Sequence, residues 1–204
     1  MAEDDVRQAL AKLISVTDKT VDAEEAALRL CAEVEDPSRV FELASEDIAS
    51  RTGLNRTASD AIDLIDELCR YAGVQAFGQN PKLDSPDTAG RYFMALSRGR
   101  HVEYCYLACL DASKRLTLCR LMGKGTLNEA DVYVRNIAQQ ALRQSAKYAY
   151  LCHNHPGGTL APSEADLALT KRAHEALKLI GCTLLEHIIV TENGYAGILE
   201  ESLK

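Results

Sequence analysis

Apolar residues recur every three to four positions through the first third of the chain, and alternate with others from Val102 to Asp111. Val6, Leu10, Leu13 and Ile14 fall on one face of a helix, as do Ala26, Ala27, Leu30 and Cys31, with Asp22 placed to cap the second run. Further helices are expected over residues 39–44, 45–51 with Ser45 as cap, and 56–71, where Ala61, Ile62, Ile65, Leu68 and Cys69 share a face. Thr52-Gly53-Leu54-Asn55 separates the last two. Residues 73–87, GVQAFGQNPKLDSPD, carry neither period and are rich in Gly, Pro, Asn and Asp, so they read as a linker. The proline and aspartate that close this segment start a helix to about Arg98.

Beyond Val102 the pattern changes. VEYCYLACLD alternates, and RLTLCRLM comes after a turn at residues 111–114, which predicts a β-hairpin. A helix over 136–147, a buried strand over 149–153, a helix over 164–180 and a strand over 182–190 complete the chain, ending at the turn Glu192-Asn193-Gly194. The expected fold class is α/β (α+β). A small helical domain, residues 1–78, precedes a domain of residues 86–204 in which helices flank one mixed sheet.

With 204 residues, 47% hydrophobic and 26% charged, the chain can bury a substantial core. It has no apolar run of membrane-spanning length, and MAEDDVRQAL lacks the basic start and apolar stretch of a signal peptide, so the expectation is a cytoplasmic protein with no membrane partner. Seven cysteines, none in a C-x-x-C pair, read as reduced core thiols. Residues 1–80 hold 8 basic and 17 acidic side chains, a net −9, against 15 and 13, a net +2, in residues 81–204. Gripping a phosphate backbone needs clustered cations, so the acidic first part disfavours a nucleic-acid partner.

Chemistry concentrates in LCHNHPGGTLAPSEAD, residues 151–166. Side chains two apart on a strand point the same way, so His153 and His155 present two imidazoles to one point. Pro156, Gly157 and Gly158 end the strand, and Pro162-Ser163 starts a helix with Asp166 on its first turn, able to reach back to the histidines. Two neutral imidazoles and a carboxylate suit Zn2+, and three protein ligands leave a fourth position open to water. Two plainer readings stand beside this one: His153 as a satisfied core histidine, and Ser163-x-x-Asp166 as a simple capping box.

His-x-His-Pro followed by Ser163 and Asp166 resembles the JAMM/MPN metalloproteases, and HNHPGG-x-x-x-PS-x-x-D-x-x-x-T is most similar to their bacterial RadC branch. The resemblance reaches upstream through Glu103, Gly125-Thr126-Leu127-Asn128-Glu129-Ala130 and Arg135, and downstream through Leu185-Glu186-His187-Ile188-Ile189-Val190, covering about residues 86–199. It implies an MPN-like fold similar to cytidine deaminase. It also implies zinc ligation by His153, His155 and Asp166, proton transfer by Glu103, and stabilisation of the developing oxyanion by Ser163, whose rival role is capping alone. The implied activity is hydrolysis of an amide or isopeptide bond in a peptide or protein-conjugate substrate. The alternative is a DNA-repair or recombination accessory protein whose metal site is structural or vestigial.

The sequence departs from the usual RadC pattern at Gly157, where a serine is common, at Tyr133-Val134-Arg135-Asn136 in place of His-Pro-Arg-Glu, and at Glu186 in place of aspartate. His187 reads as a partner of the metal histidines or as a buried structural histidine, and Glu103 has a rival reading as an exposed strand glutamate. Cys152 faces the opposite side of its strand and reads as core. His-Asn-His also occurs in HNH nucleases, but their ββα finger uses widely separated residues that this chain does not supply. The turn at Thr52-Gly53-Leu54-Asn55 resembles a degenerate helix-hairpin-helix in which Asn55 replaces the second glycine, and it reads as structural or partner-docking.

Overall fold

The computed structural model describes residues 3–34, 40, 43, 45–100, 102–125 and 130–204, with the backbone alone at 66 and 130–133. The expected helix over 39–44 falls largely outside the described residues, as do Thr126-Leu127-Asn128-Glu129. The chain divides into two compact units, Met1–Ala72 and Gly73–Lys204.

The first unit is helical: α1 (Glu3–Thr17), α2 (Ala23–Ala32), α3 (Ser45–Thr52) and most of α4 (Arg56–Gln75). The apolar stripes read from spacing meet in one core of Leu10, Ile14, Ala27, Leu30, Ile48 and Ile62. Asp22 caps α2 by accepting from the Glu25 N–H at 2.9 Å. The face expected on α4 is buried only in part: Ile62 is covered, but Leu68 and Cys69 are exposed, because the buried partners of this helix end with its second turn. Cys69 is therefore not core. Gly53 takes φ +72° between α3 and α4, and Asn55 caps α4 by accepting from the Ala58 N–H at 2.9 Å.

Residues 73–85 are more than a linker. Val74, Phe77 and the fully buried Leu83 pack into the core of the second unit, and Lys82 bridges to Arg115. Their turn residues conceal three apolar anchors.

In the second unit, α5 (Pro86–Ser97) starts on a capping box between Ser85 and Thr88, with Pro86 in its first turn. Then come β1 (Tyr104–Leu110), β2 (Leu116–Lys124), α6 (Ala130–Arg143), β3 (Tyr148–Asn154), α7 (Glu164–Leu179), β4 (Thr183–Thr191), β5 (Gly194–Gly197) and α8 (Leu199–Ser202). The sheet order is β2-β1-β3-β4-β5; β3 and β4 run parallel and the other neighbours antiparallel. The architecture is thus mixed α/β, as expected. β1 is not half-buried as its alternation implied: it lies inside the sheet with both faces covered, and all seven of its residues are buried.

Strand parity sorts the two faces. Tyr104, Tyr106, Tyr150, Cys152 and Ile188 pack against Tyr92 and Phe93 of α5. Leu107, Cys109, Ala149, Leu151 and Leu184 pack against Ile137 of α6 and Leu169, Ala173 and Leu177 of α7. A β-bulge in β4, opposite Ala149 and Tyr150, inserts Leu185 and shifts the parity of the rest of that strand. Leu184 and His187 therefore both face α7 despite their odd separation. Gly90 on α5 is required by a close approach, since a Cβ there would collide with the ring of Tyr195 on β5. Among the described residues, no helix is long and apolar enough to cross a membrane.

Candidate metal centre

His153 ends the α7-facing row of β3, and His155 continues the parallel ladder one step further, its N–H donating to the Val190 carbonyl at 2.9 Å. A turn closed by the Gly158 N–H on the His155 carbonyl then carries the chain to α7, with Gly158 at φ +78°. Asp166, in the first turn of α7 and 1% exposed, turns its carboxylate to both rings. His153 Nε2 lies 2.8 Å from His155 Nε2 and 3.1 Å from Asp166 Oδ1, and His155 Nε2 lies 3.5 Å from Asp166 Oδ2. Donors about 2.0–2.1 Å from one tetrahedral ion are about 3.3 Å apart, so these separations match three corners of such a site. The set forms a candidate metal site, and its nitrogen and oxygen donors fit zinc chemically.

The cap and the ligand are one arrangement. Ser163 Oγ and the Ser163 N–H both donate to Asp166 Oδ2, at 2.6 and 2.8 Å, while the Asp166 N–H donates back to Ser163 Oγ. His155 Nδ1 faces the Thr159 carbonyl at 2.9 Å, which can only accept, so the proton sits on Nδ1 and Nε2 is left for the site.

Electrostatics follow from this crowding. Burial pushes the Asp166 carboxyl up, but its close contacts with His153 and His155 and the hydrogen bonds from Ser163 outweigh it and hold the group well below the usual carboxylate range. The hydrogen bond to Asp166 raises the His155 imidazole, partly opposed by burial, with smaller help from the Thr159 carbonyl and the charge of Glu103. Asp166 thus favours protonation of His155, in competition with a cation at the same place.

An open cleft of about 390 Å³ exposes the site and is lined by Glu103, His155, Gly157, Thr159, Ser163 and Asp166, among others. Glu103 sits one residue before β1, not within it, on the same parity as Cys105, which pairs opposite His153, and Leu107, which packs toward α7. The Gly125 N–H donates to its carbonyl at 2.9 Å, extending the β1–β2 ladder past the last assigned pair.

Asn154, the residue between the histidines, has a role that the sequence reading misses. It points to the other face, is 4% exposed, accepts from the Tyr104 N–H at 2.8 Å and donates to the Val102 carbonyl at 3.0 Å. It thus grips the backbone on both sides of Glu103. The available signal is the period of two itself: a polar side chain turned into the core must find partners. Cys152, as expected, is buried on that same face. Glu186 is committed elsewhere, accepting from the Leu199 and His187 N–H groups at 2.7 and 2.9 Å. Gly157 has open space around its Cβ position, so the serine common there in the RadC pattern would fit.

A mixed sheet with helices on both faces, with two histidines at the mouth of one parallel strand pair facing an aspartate on α7, defines an α/β domain with a candidate metal site. A family model described as a RadC-like JAB domain matches residues 83–203, and the chain belongs to that family. It is 38% identical over 138 residues to a UPF0758 protein of Bordetella bronchiseptica, covering 68% of this chain and 61% of the relative. It is 31% identical over 198 residues to a UPF0758 protein of Variovorax paradoxus, covering 95% and 88%. The chain thus spans somewhat under two thirds of the length of the Bordetella relative.

Proposed function

We propose that this chain is a zinc-dependent hydrolase of the RadC/JAMM type, cleaving an amide or isopeptide bond in a peptide or protein-conjugate substrate. The observation that carries the reading is the convergence of His153, His155 and Asp166 at the base of an open cleft that Glu103 also lines. His153, His155 and Asp166 would hold the zinc ion, which would supply Lewis acidity and make water a competent nucleophile near neutral pH. Glu103 accepts a proton from the attacking water and returns it to the leaving amine, with its backbone fixed by Asn154 and Gly125. Ser163 holds the Asp166 carboxylate in place, and its hydroxyl lines the same cleft as the candidate donor to an oxyanion.

The alternative, a nucleic-acid accessory role, finds little support in the helical unit. The Asn55 N–H at the turn, a group that would face phosphate, donates instead to the buried Asp18 carboxylate at 2.7 Å. Four buried thiols, Cys105, Cys109, Cys152 and Cys182, support a reducing compartment, the cytoplasm.

Glu103→Gln tests the division of roles, because it keeps size and hydrogen bonding but cannot take a proton. The variant should fold and hold zinc as wild type does while cleaving a panel of linear and isopeptide-linked peptides at least about a hundredfold more slowly. Cleavage at the wild-type rate would remove Glu103 from the mechanism, and loss of zinc would make it a ligand.

A further inference from the structure

His187 is fully buried, does not line the cleft, and lies behind the candidate metal site. Its Nε2 is 2.9 Å from His153 Nδ1, and its Nδ1 is 2.6 Å from Thr170 Oγ1. Thr170 Oγ1 is in turn 2.5 Å from the main-chain carbonyl oxygen of Asp166, one turn earlier on α7. Thr170 is also fully buried, so none of these groups has water as an alternative partner.

The direction of this chain of bonds is decided at its end. A carbonyl only accepts, so the single hydroxyl proton of Thr170 goes to Asp166. Thr170 then offers His187 nothing but lone pairs, and His187 must carry its N–H on Nδ1. With one proton on the buried ring, His187 Nε2 accepts, and His153 Nδ1 donates to it. His153 Nε2 is left as a lone pair facing His155 and Asp166. Reversing the chain would set two acceptor oxygens 2.5 Å apart at Thr170 and Asp166 with no proton between them.

We infer that Thr170 and His187 are positioning residues that lock His153 into the Nδ1–H tautomer, and that the lock is anchored on the main chain of Asp166. The consequence for metal rests on the reading of His153 as a ligand. One metal-binding side chain is thereby tied to the helix that carries another, through bonds that exist before any cation arrives. The bulge at Leu185 makes this possible, since without it His187 would face α5.

The test uses the full chain, labelled with 15N at histidine and stripped of metal, together with zinc titration against a competing chelator. Nitrogen shifts should report His153 as Nδ1–H with an unprotonated Nε2. Thr170→Val, which removes the hydroxyl at nearly constant volume, should give a mixture of His153 tautomers and about 10–100-fold weaker zinc binding. Thr170→Ser should return both readouts to near wild type, which a role in packing alone would not do. A wild-type His153 protonated on Nε2, or a Thr170→Val chain with wild-type tautomer and zinc affinity, would overturn the inference. A wild type that holds the Nδ1–H tautomer but binds no zinc would support the lock and refute the metal reading instead.

Discussion

Asn154→Ala should loosen the segment that carries Glu103 while leaving the three metal-site side chains in place. The side chain is 4% exposed and makes two well-formed bonds, from the Tyr104 N–H at 2.8 Å and to the Val102 carbonyl at 3.0 Å. Its third contact, to the Arg100 carbonyl, is long at 3.4 Å. Each good bond contributes about 1 kcal/mol net, and leaving the buried Tyr104 N–H without a partner costs about 1–3 kcal/mol, so the expected loss is about 2–4 kcal/mol. Because the chain has two compact units, the appropriate readout is local: native-state hydrogen exchange at the Tyr104 amide, with zinc content measured in parallel. Exchange should accelerate by about 30-fold or more, with zinc retained and hydrolysis reduced. Asn154→Asp, which keeps the acceptor for Tyr104 but loses the donor to Val102, should fall between. Unchanged protection of Tyr104 in Asn154→Ala would refute the view that this side chain holds the Glu103 segment.

Two further outcomes concern the centre itself. Because Asp166 raises the His155 imidazole pKa, protons and zinc should compete there, and apparent zinc affinity should fall as pH drops through that pKa, by up to about tenfold per unit; calorimetric titrations from pH 8 to 6 showing no such fall would contradict it. In the metal-free chain the same raised pKa adds stability that is complete below the unfolded imidazole value and is lost as pH rises through the folded one. Ser163→Ala separates cap from catalyst: lowered zinc affinity and a destabilised α7 would mark the cap, whereas full zinc occupancy with slow hydrolysis would mark the oxyanion donor.

Much of the fold and the site is legible in the sequence because it is local. Helical spacing foretells the core faces of α1 and α2, and the period of two joins His153 to His155. Short elements are not legible: β5 and α8 have four residues each, and the glycines at both ends of β5 read as turn. α6 starts well before the expected residue 136, because burial of Ile137 and Ala141 against the sheet outweighs the weak helix propensity of the β-branched residues ahead of them. The links from Asn154 to Tyr104 and from His153 through His187 to Thr170 join residues 17 to 50 positions apart. No periodicity within one element could reveal them.

The central claim, that His153, His155 and Asp166 hold one zinc ion with a position left open, is tested most directly by elemental analysis combined with X-ray absorption at the zinc edge. Wild type should contain about one zinc per chain, bound by two imidazole nitrogens at about 2.0–2.1 Å and by oxygen ligands at about 2.0–2.2 Å, and His155→Ala should lose it. Equal zinc in wild type and His155→Ala would contradict the account.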